Sequence, residues 1–367
     1  MEVKLMNNKK IATTLTVLLF SGSVLVVSAM IVPGFVNTSV AKSIPVVQDT
    51  GKQTLTSSKT PVLKVEAETA KTTVSDVNKE LEQLMTQEEF QQIYNFADKP
   101  DNELTSNREM TEEEANRRLI LQDQYLYEGL RPKQSLPLKP GQSEYYWDLD
   151  NNRIHYPNRP LTDEELLETT DWYYRLNYGL SKRNIVTPLD SKDLVQADAV
   201  ALAATSVKKL FGADVSKLEV YANLNDAVIL NKKSWLITFA PYKADTLRAQ
   251  GKDFWQYNVI IDYTTRTVVD TTAANFTLKR TPISAEAAKA IQKDATWIHE
   301  ATKIVTDKQG ETRKITMAYL VDTDKNDSRG MVDVKMLLED GSSYTAELRY
   351  PDKTLRCLLY EEAKATK

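Results

Sequence analysis

Residues that commonly carry out catalysis or bind metals are scarce in this 367-residue sequence. Its single cysteine, Cys357, and its two histidines, His155 and His299, are too few for a zinc site built from those residue types. Ser206 and Lys209 have the Ser-x-x-Lys spacing of penicillin-binding proteins, but no Ser-Asp-Asn or Lys-Thr-Gly motif accompanies them. Gly-x-Ser-x-Gly, Gly-x-x-x-x-Gly-Lys and His-Glu-x-x-His are also missing. We therefore predict no catalytic residues, no metal site and no cofactor, and we favour a protein that is not an enzyme.

One acidic stretch comes close to the pattern of a calcium-binding loop. Asp322, Asp324, Asn326 and Asp333 have nearly the spacing of the oxygen ligands in such a loop. The sixth position is Asp327 where the motif requires glycine, and the flanking residues have the pattern of strands rather than helices. We therefore predict a polar hairpin loop.

Aromatic residues are concentrated between residues 125 and 178, where eight of the 17 tyrosines and two of the five tryptophans occur. Tyrosine and tryptophan provide rigid contact area with a polar tip, which suits the binding of sugar rings or peptides. The candidate platform consists of Tyr145, Tyr146, Trp147, Trp172 and Tyr173. The alternative is that these residues form the core of a small helix and hairpin module.

The same region contains carboxylates that allow a second functional hypothesis. Glycoside hydrolysis requires two carboxyl groups about 5–10 Å apart across a cleft. Two of Asp148, Asp150, Glu164 and Asp171 could supply them beside the aromatic platform. The alternative function is therefore a cell-wall carbohydrate-binding or carbohydrate-hydrolysing envelope enzyme.

The amino-terminal residues indicate export. Lys4, Lys9 and Lys10 precede an uncharged run from residue 11 to residue 32, which is long enough to cross a bilayer as a helix. Because flanking lysines stay in the cytoplasm, we predict a single-pass membrane protein whose bulk lies outside. A secreted protein cleaved near Ala41 is the alternative. With 47 basic and 51 acidic residues the net charge is −4, so we expect no binding to nucleic acid.

The remaining chain divides by its pattern of residues. Residues 37–75 contain many serines and threonines and are predicted to form a flexible linker. Capping boxes at Thr86, Thr111 and Thr162 predict helices within a helical and hairpin region over residues 76–186. We expect the helix that follows Thr162 to end at Gly179. After residue 187, a helical stripe and a series of short strand-like runs occur twice.

The chain after residue 187 consists of two similar halves, residues 187–281 and 282–367. The two halves align with each other at a shift of 87 residues. QYNVIIDYTTRTVVD, from Gln256, aligns with SYTAELRYPDKTLRC, from Ser343. Alternating apolar and polar residues predict two half-buried strands joined by a turn in each half. This helix-then-meander order, with its closing hairpin, resembles the PepSY family of extracytoplasmic domains. At one position of this alignment the two halves have opposite charges: the second half has Arg349 where the first half has Asp262.

The resemblance implies an α+β fold and a regulatory role. We expect a membrane or signal helix over residues 1–36, the linker, the aromatic-rich region, and PepSY-like repeats over residues 187–281 and 282–367. PepSY domains occur in protease propeptides and membrane-bound regulators and contribute no catalytic residues. The expected function is therefore non-catalytic binding of an extracytoplasmic protein or peptide, with restraint of a peptidase or a membrane signalling protein. Exposed edges of the two meanders are candidate sites for strand addition.

Overall fold

The computed structural model describes residues 74–99, 104–183, 194–225, 233–321 and 328–363. The predicted membrane segment over residues 11–32, the linker up to residue 73 and the calcium-like loop from residue 322 to residue 327 lie outside the described residues. Within the described ranges, no helix is long and apolar enough to cross a bilayer. The fold is mixed α+β, with eight α-helices in those ranges and one large antiparallel sheet.

Four helices and a small sheet form the first unit. The helices are α1 (Val74–Leu84), α2 (Gln87–Ala97), α3 (Glu112–Tyr127) and α4 (Asp163–Arg183). Reciprocal bonds of the capping-box type are present at Thr86 with Glu89, Thr111 with Glu114 and Thr162 with Glu165. Strands β1 (Thr105–Ser106), β2 (Tyr146–Asp148) and β3 (Arg153–His155) form the small sheet, in which β3 is central.

Helix α4 continues past the residue at which the sequence predicted its end. Gly179 lies inside the helix rather than after it. A Cβ at Gly179 would lie 2.9 Å from Cδ1 of Ile93, a fully buried residue of α2. The absence of a side chain at Gly179 therefore allows α2 and α4 to pack closely, and the prediction of a carboxyl-terminal cap there was wrong.

The large sheet has eight strands in the order β4-β5-β6-β7-β11-β10-β9-β8. Its strands are β4 (Glu219–Asn225), β5 (Ser234–Ala240), β6 (Gln256–Asp262), β7 (Val268–Ala274), β8 (Ile315–Val321), β9 (Met331–Leu338), β10 (Ser343–Arg349) and β11 (Leu355–Glu361). Each half contributes a four-stranded meander, and β7 pairs with β11 at the centre. The two halves therefore share one sheet.

Helices cover one face of this sheet. They are α5 (Gln196–Phe211), α7 (Ala285–Ile291) and α8 (Thr296–Lys303), which continues as a π-helix (Ile304–Gln309). A further short helix, α6 (Ala244–Ala249), lies between β5 and β6 and packs against α3. The residue pattern predicted neither α6 nor α8 as a helix.

Residues 87 positions apart occupy equivalent places in the two meanders. Thr271 and Leu358 are 87 positions apart and are direct partners at the centre of the β7–β11 ladder. A register shift occurs after Ile260 in the first half and after Glu347 in the second, again 87 positions apart. The central ladder is therefore close to a local two-fold axis that relates the two halves.

The closing turns of the two hairpins are also equivalent. Arg266 and Lys353 both have a positive φ, 60° and 61° respectively. Each donates its backbone N–H to the residue four positions earlier, Asp262 or Arg349. A left-handed conformation is typical of glycine, so these two side chains occupy a position that the turn geometry disfavours.

Candidate binding surfaces

The five aromatic residues of the predicted platform do not form an exposed surface. Tyr145, Trp147 and Trp172 are only 1, 3 and 6% exposed and belong to the core of the first unit. The rings of Trp147 and Trp172 meet edge to face with centroids 6.1 Å apart. Tyr146 and Tyr173 are half-buried, and Tyr146 stacks on His155. The structure thus places these residues mainly in the core of the helix and hairpin module.

The four carboxylates of the alternative hypothesis bond to different partners. Asp148 closes the β2–β3 turn, and hydrogen bonds led by the side-chain amide of Asn151 lower the pKa of its carboxyl. Asp171 is buried and accepts hydrogen bonds from the hydroxyl of Tyr125 (2.8 Å) and from Nε of Arg175 (2.6 Å). Asp150 is exposed beside Lys99, and Glu164 accepts a hydrogen bond from the backbone of Lys133. These arrangements are structural and leave no carboxylate pair facing a common cleft.

The residue types that could act as nucleophiles or bases have structural roles or lie alone. Ser206 is buried, with its hydroxyl 2.7 Å from that of Thr271. Burial raises the pKa of the Cys357 thiol, and Asp270 accepts its hydrogen bond. His299 lies exposed on α8. In the described ranges no three residues of the metal-binding types are grouped as a metal site would require.

A cleft of about 280 Å³ lies beside α1, α3 and α4. Four of its five charged side chains pair with each other or with neighbours. Arg131 bonds to Glu80 and lies 3.9 Å from the ring centroid of Tyr125, while Arg175 bridges Asp171 and Glu89. The fifth, Lys133, also lines the cleft and is exposed. Most of the charge in the cleft is therefore already balanced by protein partners.

The contact between the first unit and the large sheet contains a buried acidic pair. Gln122 donates to Asp245 at 2.8 Å, and the backbone of Thr246 donates to Asp123 at 2.7 Å. Burial raises the pKa of Asp123, and burial raises the pKa of Asp245 to about 7 against the attraction of Arg248. These contacts connect α3 to α6 across a cavity of about 10 Å³, and they hold the first unit against the sheet.

Among the strands of the described ranges, β8 forms one edge of the large sheet and pairs with β9 alone. Its seven residues, Ile315–Val321, include no charged residue and no proline. Met317 is 57% exposed and Tyr319 is 39% exposed. Edge strands of soluble proteins are normally protected by charges, prolines or covering elements, because an open edge pairs with other chains. An edge of this composition is suited to accept another strand.

The opposite edge differs. Strand β4 begins with Glu219, and its Tyr221 is hydrogen-bonded through the hydroxyl to Tyr127 of the first unit. The first unit therefore covers part of the face beside β4. Of the two edges, β8 is the more open to an extended peptide.

Among the described residues, the face of the sheet opposite the helices is partly exposed in the second half. Along β9, Val332, Val334 and Met336 are buried in the core, and the intervening residues are half-buried. In the first half both faces are covered, since every residue of β5 is buried. An incoming strand at β8 would thus extend a sheet that has one accessible face.

Neither family models, nor curated proteins, nor solved structures match this chain. The residue pattern predicted exposed meander edges but did not distinguish β8 from β4. The absence of charged residues from residue 315 to residue 321 was the sequence feature that could have distinguished β8. The position of Met317 and Tyr319 on an edge strand depends on strand order, which the residue pattern does not specify.

Proposed function

We propose that this chain is a non-catalytic binding and regulatory protein that restrains an extracytoplasmic partner. The partner class that suits the PepSY-like organisation is a peptidase or a membrane signalling protein. The proposal includes export, with residues 11–32 holding the protein in the membrane. The supporting observation is the open, uncharged edge strand β8, which carries exposed Met317 and Tyr319.

Strand addition provides a physical mechanism for this restraint. The outward backbone groups of β8 would bond to an extended segment of the partner, and the side chains of Met317 and Tyr319 would contact its alternate residues. A segment held in this way is removed from its other interactions, so an inhibitory role needs no catalytic group. We do not propose the carbohydrate-active alternative, because the aromatic residues that it requires are largely in the core.

Site-specific photocrosslinking in the source cells tests this mechanism. A benzophenone amino acid is placed at Tyr319 on β8, and a matched one is placed at Leu130, which has the same 39% exposure but lies in the first unit. We expect a discrete crosslinked protein from position 319 and none from position 130. Peptide mapping should locate the crosslink in an extended segment of the partner.

A second measurement separates strand addition from contact by side chains alone. With the identified partner bound, hydrogen exchange should slow for backbone amides of β8 and remain unchanged for those of β4. Protection confined to the helices, or equal crosslinking at both positions, would show that β8 is not the binding edge.

A further inference from the structure

Four arginines gather at one end of the large sheet although they are far apart in the sequence. Arg329 donates to both oxygens of Glu347 at 3.0 Å, and Arg356 donates to Glu347 at 2.5 Å. Arg349 donates to the backbone oxygens of Leu355 and Ala273, both at 2.9 Å. The fourth member is Arg280, which precedes α7. Two of these arginines therefore share one carboxylate, and a third bonds only to neutral backbone groups among the contacts described.

The backbone places Arg280 beside the other three arginines. Gly330 has a positive φ of 66°, and a Cβ there would clash with the carbonyl oxygen of Thr281. This close approach holds the segment before α7 against the start of β9, so Arg280 lies near Arg329. Arg280 is exposed and has no hydrogen bond or ion pair with the residues that the structure describes. Although the residue as a whole is exposed, partial burial of its guanidinium and the charges of Arg356 and Arg329 lower the pKa of this group.

Other carboxylates nearby do not neutralise this end of the sheet. Asp333 lies opposite Glu347 in the β9–β10 ladder, farther from the end than Arg349. The carboxyl of Asp270 is buried against Cys357, and burial raises its pKa to about 6. Asp352 lies near Arg349 in the closing turn. Its carboxylate accepts a hydrogen bond from the backbone of Thr354 and makes no described hydrogen bond to an arginine of the cluster. Glu347 and Asp352 attract Arg349, and Glu347 attracts Arg280, but neither arginine has an ion pair among the described contacts, so the positive charge of this end is only partly balanced.

Exposed apolar side chains lie next to these charges. Trp255 is 39% exposed, and the guanidinium of Arg349 lies 5.2 Å from its ring centroid. Phe276 and Leu278, 40 and 46% exposed, lie in the segment that leads to Arg280, and the ring centroid of Phe276 lies 4.1 Å from the guanidinium of Arg248. This segment also carries Lys279. We call the four arginines together with Trp255, Phe276 and Leu278 the arginine surface.

We propose that the arginine surface binds an anionic lipid bilayer, with Arg280 and Arg349 contacting headgroup phosphates. Trp255, Phe276 and Leu278 would enter the interfacial layer, where tryptophan and other apolar side chains partition beside basic residues. A free phosphate ion would use the guanidinium groups but would leave three apolar side chains in water. The combination of basic and exposed apolar side chains therefore favours a bilayer. This proposal is independent of the proposed role of β8.

Trp255 provides an intrinsic probe for this contact. The other four tryptophans, Trp147, Trp172, Trp235 and Trp297, are at most 9% exposed, and residues 1–73 contain none. The full chain is placed in bilayer nanodiscs of phosphatidylcholine, with or without phosphatidylglycerol, whose acyl chains carry bromine. Bromine quenches tryptophan fluorescence only at contact distance. We expect strong quenching with phosphatidylglycerol and little without it.

The double variant Arg280→Gln/Arg349→Gln should lose the quenching that depends on anionic lipid, since each arginine near such a surface contributes about fivefold to binding. Arg153→Gln, at an exposed arginine in the small sheet, is the matched control and should quench like the wild type. A second variant, Phe276→Ser/Leu278→Ser, should also weaken the contact while the arginines remain. Circular dichroism of each variant verifies that the fold is intact.

Three outcomes would overturn the proposal. Equal quenching in neutral and anionic discs would show that the arginines do not recognise phosphate. Absence of quenching, together with a melting temperature that inorganic phosphate raises in the wild type but not in the arginine variant, would assign the site to free phosphate. The same absence with stabilisation by poly-glutamate would assign it to an acidic polypeptide.

Discussion

Gly330 shows how one residue determines the arrangement of segments around it. Its φ of 66° disfavours every other residue type, and the carbonyl oxygen of Thr281 occupies the space that a side chain would need. Gly212, at the end of α5, has a similar φ of 69° but nothing within 4 Å of the position of a Cβ. Substitutions at the two glycines can therefore be compared. At Gly212 the free energy of unfolding reflects the backbone conformation alone, whereas at Gly330 it also includes a steric clash.

We expect Gly330→Ala to lower the free energy of unfolding by about 3 kcal/mol and Gly212→Ala by about 1 kcal/mol. Only the first substitution adds a backbone clash to the cost of the left-handed conformation. Urea unfolding followed by circular dichroism measures both values. Equal losses for the two variants would show that the segment at Thr281 moves away without cost.

The buried carboxyl of Asp245 gives the protein a predictable response to pH. Burial raises its pKa from 3.8 to about 7, so the folded protein keeps a proton that the unfolded chain releases between these values. The stability that this proton binding contributes is complete below pH 3.8 and is lost as the pH rises towards 7. The environment of Asp245 includes Gln122, Asp123 and Arg118 from α3, and Arg248 from its own helix.

We expect Asp245→Asn to reduce the loss of stability between pH 4 and pH 7, because asparagine keeps the neutral form at every pH. Unfolding free energies at several pH values measure this slope. Asp270→Asn, at a distant site, should reduce the slope separately and only up to about pH 6, since burial raises the pKa of Asp270 from 3.8 to about 6. Hydrogen bonding to Arg108 lowers the pKa of Glu114 from 4.5 to about 2. The ionisation of Glu114 therefore changes the stability only below pH 4.5 and does not contribute to the slope above that pH. An unchanged slope in Asp245→Asn would show that Asp245 is ionised in the fold.

At the scale of elements, local signals predicted the helices that have their own caps. Thr86 and Thr111 form complete capping boxes, as predicted, and Gly212 ends α5 in the left-handed conformation. These contacts involve residues three or four positions apart, so the sequence contains all the partners. The β2–β3 hairpin, whose turn includes residue 151, lies in the region over residues 76–186 for which a hairpin was predicted.

Elements and surfaces that depend on distant contacts were not predictable in this way. Gly179 has the appearance of a helix end, but its role is defined by Ile93, 86 positions earlier. Helix α6 is only six residues long and is held by α3 through Asp123. The exposure of aromatic residues such as Trp147 depends on which elements pack on them, and their residue type does not reveal it. The departure at Arg349 from the repeat was the one sequence signal for the arginine surface.

The closing turns allow a prediction about a single element. Arg266 has a φ of 60°, where a side chain costs about 1 kcal/mol relative to glycine. We expect Arg266→Gly to raise the free energy of unfolding by about 0.5 to 1 kcal/mol. Arg266→Ala should give no such gain, because alanine keeps the Cβ that causes the strain. Thermal unfolding compares the two variants, and an equal effect of both would attribute the change to loss of the arginine side chain.

At the scale of the molecule, the two halves depend on each other. Strands β7 and β11 form one ladder, so each half would expose an unpaired strand without the other. Leu210 of α5 is 1% exposed and lies in the core of the second half, although its helix begins the first half. Lys308 of the π-helix donates to the carbonyl oxygen of Leu210. The repeat in the sequence predicted two similar units, but their union in one sheet depends on strand order.

Shared packing predicts that both halves unfold together. Trp235 lies in the core of the first half and Trp297 in that of the second. Two variants that keep only Trp235 or only Trp297, with the other four tryptophans replaced by phenylalanine, therefore report on different halves. We expect coincident urea transitions from the two probes. Leu210→Ala should shift both by about 2 to 4 kcal/mol, since the cavity lies between the halves. Leu161→Ala, at a residue of the first unit that is also 1% exposed, provides a comparison outside this contact. Separate transitions for Trp235 and Trp297, or a shift of only one of them in Leu210→Ala, would show that the halves fold independently despite the common sheet.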